Sequence, residues 1–262
     1  VMRGIRTAMD EVKPDAWLVA ENGDFVASDL DGFGWHGAMN YQGFMRPLWN
    51  WINQNSSIGG GFQGLPFEMP KIGGKSLVAS MVQFSSSIPW RSLVASMVLL
   101  DSHDTARMRT VVSGDRKAHL SAMTAMLTYP GVPSIFAGDE IGLEGSWGED
   151  SRRTINWEDR SGWDHDFLAE AKKLIELRRT QDGLIEGGLR WVAVEDNFIC
   201  YLRESNKQSV LVFISRKAVR TEIDLAGYGL KVVKTLYGPD ATGASIKIDS
   251  DGATQGIWEV KS

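Results

Sequence analysis

Several signals that usually classify a chain are scarce or missing in these 262 residues. There is one cysteine, Cys200, so no internal disulfide can form. Its place in the alternating apolar stretch 198–202 predicts a buried strand position rather than a reactive thiol. No apolar run approaches the ~20 residues that a membrane-spanning helix needs, so no spanning helix and no membrane partner is expected. Basic residues are not in excess: 28 Lys and Arg stand against 33 Asp and Glu, a net charge of -5. A nucleic-acid partner is therefore not expected, because phosphate binding needs a basic face. No His/Cys cluster has metal-ligand spacing. The carboxylate-rich turn Asp249-Ser250-Asp251-Gly252 is too short to argue for calcium and reads as a hairpin turn. The glycine-rich residues 59–64 lack a phosphate-loop pattern and read as a mobile loop. The expectation is no metal and no cofactor.

What is abundant is tryptophan, ten rings in all. Several stand near glycines or polar residues: Trp35, Trp49, Trp51, Trp147, Trp157 and Trp163. The apolar face of a pyranose stacks on an aromatic face, so each ring is a candidate sugar contact and equally a candidate for core packing.

Four short apolar runs each border a polar or charged cluster: residues 16–20 before Glu21, 37–41 after Trp35 and His36, 97–100 before Asp101, and 133–137 before Asp139. Continuous apolar runs of this length suit strands buried on both faces of a parallel sheet. Helical periodicity fills the gaps at 41–53, 116–128 and 166–179. Strand followed by helix, repeated, is a βα-type pattern. Eight such units need ~250 residues, and four strands are visible. The chain also opens in a helix, 2–12, with no strand before it. The expected fold is therefore α/β: residues 1–185 as the second half of a (β/α)8 TIM barrel, cut just before its fourth helix. With no start methionine, the lack of a leader carries no weight and the compartment stays open. From about 187 the texture changes to short alternating strands and turns, with no helical period after Arg179. Residues 186–262 read as an all-β antiparallel sandwich that needs a neighbour to dock on. The heptapeptide SLVASMV occurs twice, at 76–82 and 92–98, too isolated for a repeat architecture.

In a parallel barrel the chemistry sits at the C-terminal ends of the strands. Glu21 follows the first visible strand and Asp104 the third, so both should face one mouth. Two carboxyl groups facing one cavity are the minimum for splitting a glycosidic bond. Taken alone, a Glu or Asp after a strand is as readily a cap or a surface group.

The local words narrow the choice. LLDSHDTAR at 99–107, LVAEN at 18–22 and GVPSIFAGDEIGLEG at 131–145, followed by Arg152-Arg153 and Asn156-Trp157, resemble the α-amylase superfamily, glycoside hydrolase family 13. The Ser-His-Asp form is similar to its neopullulanase and cyclomaltodextrinase branch. The resemblance implies a retaining glycoside hydrolase acting on an α-glucan oligosaccharide, with Glu21 as general acid/base and Asp104 as the carboxylate stabilising the transition state. His103 would bond sugar hydroxyls. Arg152, Trp35 and Tyr41 are further candidate substrate contacts, and Asp139 and Glu140 are expected to hold their loop. Gly148 stands where relatives place an aspartate, four residues before Arg152. The family's nucleophilic aspartate, on the fourth strand, has no counterpart here. The expected partner is thus the missing N-terminal half of the barrel or a chain supplying it. Two alternatives stay open: a transglycosylase, whose acceptor site near Trp35 and Phe44 would decide, and a non-catalytic glucan-binding half-barrel module.

Overall fold

A computed structural model describes residues 1–23, 26–53, 69–146 and 148–262. The glycine-rich 59–64 and Trp147 lie outside the described residues. In chain order the elements are helix α1 (Met2–Val12), strands β1 (Val19–Ala20) and β2 (Gly37–Ala38), and a π-helical turn at Tyr41–Met45 running into α2 (Arg46–Ile52). Helices α3 (Gly74–Ser86) and α4 (Trp90–Val94), strand β3 (Met97–Leu99), α5 (Met108–Val111), α6 (Arg116–Thr128) and β4 (Val132–Ser134) follow.

The four strands are parallel. β1 pairs with β2 and β3 with β4, and a parallel bridge between Met39 and Met97 ties the two pairs together. The strands are short because the chain turns into its loops at once: Met39 donates to the Ala20 carbonyl, and Asn40 to that of Met97. Gly37 is required here, since a Cβ would run into the Ala95 and Ser96 backbone that β2 passes. Beyond β1 and beyond β4 no further parallel partner exists among the described residues. Helices α2, α3 and α6 cover the sheet with a large core that includes Phe44, Trp49, Met81 and Met126. Trp49 is 1% exposed and donates from its indole to the Leu100 carbonyl at 2.7 Å, which fixes the end of β3. Helix α1 has no buried residue, and Val1, Ile5 and Val12 are exposed.

Helix α6 starts where Asp115 caps the Ala118 amide, replacing a bond the first turn cannot make internally. Helix α7 (His165–Thr180) is capped in the same way by Asp164. A short helix α8 (Asp182–Glu186) follows, a departure from the expectation of no helix beyond Arg179.

The C-terminal residues form strands β5 (Gly188–Glu195), β6 (Phe198–Glu204), β7 (Ser209–Ser215), β8 (Val219–Asp224), β9 (Lys231–Tyr237), β10 (Ser245–Ser250) and β11 (Gln255–Lys261). Five make one antiparallel sheet in the order β5-β6-β7-β11-β9, and β8 pairs with β10. Because side chains alternate along a strand, the larger sheet serves two cores. Cys200, Phe213 and Trp258 meet Ile223 and Ile248 of the smaller sheet. Ile199, Tyr201 and Val212 join the helical core. The Tyr201 hydroxyl reaches Thr128 at 2.6 Å, and the buried Arg203 binds the Thr128 and Gly187 carbonyls. Burial pushes the Cys200 thiol far above its usual range, so it is a packing residue.

Candidate active site

Strand direction decides what meets at this site. Glu21 stands one residue past β1, Tyr41 follows β2, and Ser102–Asp104 follow β3, all at the C-terminal ends. The segment after β3 folds tightly: Ser102 donates its amide to the Thr105 hydroxyl oxygen at 2.8 Å, and Thr105 donates its amide back to the Ser102 carbonyl. This turn lifts His103 and Asp104 out of the core, leaving their side chains 50% and 44% exposed, while Asp101 and Ser102 stay buried. Glu21 is exposed beside them. One ligand-type atom each of Glu21, His103 and Asp104 lies within 4.8 Å of the others.

The Asp104 carboxylate is held from two sides. Arg152 Nη2 donates to Oδ1 at 3.0 Å, and His103 Nε2 lies 3.3 Å from the same oxygen. Arg152 also donates from Nε to the His103 carbonyl, which Ser151 Oγ reaches as well. The Tyr41 ring is buried, and its hydroxyl sits 3.0 Å from Ser102 Oγ, which also accepts the Asp104 amide. Burial raises the Tyr41 hydroxyl above its usual range, and the nearby charges of Asp104 and Glu21 push the same way. Tyr41 is therefore a neutral floor under two carboxylates.

Directly below lies a second, buried carboxylate group. Asp101 Oδ2 accepts the Met108 amide at 2.5 Å, and its carboxyl interacts with that of Asp139. Arg107 Nη1 meets Asp139 Oδ1 at 3.0 Å, while Arg107 Nε binds the Ser151 carbonyl and its guanidinium stacks 3.9 Å above Phe136. All three charged groups are 1–2% exposed. Burial first, then the negative charge of Asp101, raise Asp139 well above the carboxylate range. Burial raises Asp101 as well, so two buried acids beside one guanidinium cannot both hold a negative charge without a cost of several kcal/mol. This cluster joins the ends of β3 and β4 through the Ser151–Arg152 segment that grips His103 and Asp104. Among the described residues, Arg107, Ser151 and Ser102 support the site without having been singled out from the sequence. For Arg107 the signal was its place in the LLDSHDTAR word; for Ser151 there was none.

Two sequence expectations need correction. Trp35 precedes β2, at the N-terminal end of the strands, with His36 beside it accepting the Leu18 amide on Nδ1. It is half-buried against the core at the end of the sheet opposite Glu21 and Asp104, so it does not line this mouth. Phe44 is 0% exposed and cannot form an acceptor surface. The clustered atoms of Glu21, His103 and Asp104 are of types that bind metal ions. Exposed acids grouped at a strand mouth are equally what acid–base chemistry on a neutral substrate requires.

Residues 1–198 match the family model for the α-amylase catalytic domain, and the chain belongs to the α-amylase family. It is 28% identical over 247 residues to a cyclomaltodextrinase from a Bacillus species, covering 93% of this chain and 40% of that protein. To an intracellular maltogenic amylase from Bacillus subtilis it is 29% identical over 223 residues, covering 84% of this chain and 35% of the relative. A debranching enzyme from Nostoc punctiforme superposes with a TM-score of 0.86 at 23% identity, covering 98% of this chain and 54% of that one. The likeness to the solved structure establishes an α/β fold shared with these enzymes. The chain spans about half the length of that structure and less of the curated relatives.

Proposed function

We propose that this chain is the acid-bearing half of a retaining α-glucan hydrolase. The observation that carries this reading is the convergence of Glu21, His103 and Asp104 within 4.8 Å at the C-terminal ends of parallel strands. Residues 1–185 would form the second half of a (β/α)8 barrel and 186–262 a β-sandwich domain docked on it. Among the described residues the parallel sheet has no further partner at β1 or β4, which supports a barrel completed by other strands.

In this reading Glu21 gives its proton to the glycosidic oxygen as the bond to the anomeric carbon breaks. A carboxylate outside this chain takes the anomeric carbon, and Glu21 then removes a proton from the attacking water. Asp104, fixed by Arg152, meets the positive charge that develops on the sugar ring. His103 offers hydrogen bonds to ring hydroxyls. Arg152 acts through Asp104 and the His103 carbonyl rather than as a first contact of the sugar. We assign the three clustered groups to this work rather than to an ion, so the reading needs no cofactor. The substrate class is α-linked gluco-oligosaccharides, cyclodextrins or related glucans.

The test is reducing-sugar release from maltoheptaose, cyclodextrin and pullulan by the chain within a completed barrel, beside Glu21→Gln. The amide cannot donate a proton, so release should fall by about 10²–10⁴-fold, the usual contribution of a general acid. Unchanged release in Glu21→Gln would sink the assignment.

A further inference from the structure

Between the Asp104 cluster and the segment after β4 runs a hollow of about 630 Å³ bounded by His103, Arg152, Phe136, Thr154 and Trp157. It shares Arg153, Thr154 and Ile155 with a second hollow of about 670 Å³ that reaches Asn156 and Trp163. Both flank the 153–155 segment, and the first is the trough that leads from His103 and Arg152 to Trp157. Each is of the size that usually holds a small ligand.

Trp157 lines the first hollow, beside His103 and Arg152, and is 61% exposed, the most exposed tryptophan among the described residues. Such a ring in water costs hydrophobic free energy unless something covers it. It is also held still. Its ring meets Trp163 edge-on at 5.4 Å and 81°, and Trp163 carries the Arg160 guanidinium 4.9 Å away on its face. The preceding residue, Asn156, accepts the amides of Glu158 and Asp159 on its side chain and pins the turn. A rigid, half-covered aromatic face beside polar groups suits an amphipathic ligand that stacks one apolar side and hydrogen-bonds at its edges, as a pyranose does.

We propose that Trp157, braced by Trp163, is an outer sugar-binding platform that takes a glucose unit of a longer α-glucan lying in this trough. It would set a preference for chain length without touching the bond that breaks. The inference rests on the α-glucan reading above and names a site that reading does not use.

The test is calorimetric titration of the chain within a completed barrel with maltotriose and with maltoheptaose, using wild type, Trp157→Ala and Trp157→Phe. Trp157→Ala should weaken maltoheptaose on the order of tenfold, equivalent to about 1.4 kcal/mol, while maltotriose changes less than about twofold. Trp157→Phe, which keeps an aromatic face, should recover most of the loss. Equal loss for both sugars, or no loss for either, would overturn the platform while leaving the α-glucan reading standing. Failure of wild type to bind either sugar would overturn both.

Discussion

Asp101 and Asp104 are three residues apart in the nine-residue word LLDSHDTAR, yet the structure gives them opposite surroundings. Asp101 is 2% exposed, bound to the Met108 amide and to Asp139, and cannot reach a substrate. Asp104 is lifted by the Ser102–Thr105 turn to 44% exposure and held by one arginine. Burial decides which carboxylate braces the fold and which one stands open at the mouth. A buried acid earns nothing from charge unless it shares a proton or a cation, and Asp101 has Asp139 and Arg107 nearby for that. The acid at the mouth is open to water and paired with Arg152. The lesson is that the buried trio anchors the Ser151–Arg152 segment that holds His103 and Asp104.

The comparison can be broken at either member. The largest effect belongs to the exposed group. Asp104→Asn should cut turnover of the completed enzyme by about 10²–10³-fold, the cost of losing one preorganised electrostatic contact, and leave thermal unfolding unchanged. Steady-state kinetics beside a melting curve reads both. The buried group should do the reverse. Asp139→Ala leaves Arg107 and Asp101 buried without their shared partner, and should destabilise the fold by about 3–5 kcal/mol, measured by denaturant unfolding.

A third prediction uses pH. Asp139 holds its proton in the folded chain well above its usual range, so the folded state binds more protons than the unfolded state once pH exceeds about 4. Stability from this group is complete below that pH and is lost as pH rises through the raised value, with a slope of at most about 1.4 kcal/mol per pH unit. Asp139→Asn, whose amide can still donate to Asp101, should reduce that slope. Unfolding of wild type and variant at a series of pH values checks it, and identical slopes would show that Asp139 does not carry the proton. The smallest effect is expected at Arg152, which is 43% exposed. Arg152→Ala frees Asp104 without removing it and should lower kcat about tenfold with little change in melting temperature, because slight misplacement of a reacting group is costly.

Much of the site was legible from the residues. Glu21, His103 and Asp104 could be placed because strand ends carry the chemistry of parallel sheets, and the words around them were distinctive. Tyr41 was marked, though its buried ring makes it a floor rather than a wall. Trp35 was misjudged because β2 is two residues long: the entry and exit of so short a strand look alike in sequence, and only the pairing of Gly37 with Val19 shows which end is which. Helix α3 escaped notice for a related reason. Its residues 76–82 repeat at 92–98, but the first copy lies wholly within a helix while the second ends a helix and enters β3. Identical local propensity gives two outcomes because packing overrides it. Strands β9 and β11 went unread because they are completed by partners far along the chain, as in the pairing of Trp258 with Leu211 and Thr235.

The most direct test of the account is sugar release from maltoheptaose by this chain alone and by the chain completed with an upstream α-amylase half barrel, each beside Glu21→Gln. The account predicts no release from the chain alone, release from the completed barrel, and loss of that release by at least about 10²-fold in Glu21→Gln. Release from the chain alone that vanishes in Glu21→Gln would place the nucleophile within these residues and contradict the half-barrel reading. Release from the completed barrel that survives Glu21→Gln would contradict the assignment of the acid itself.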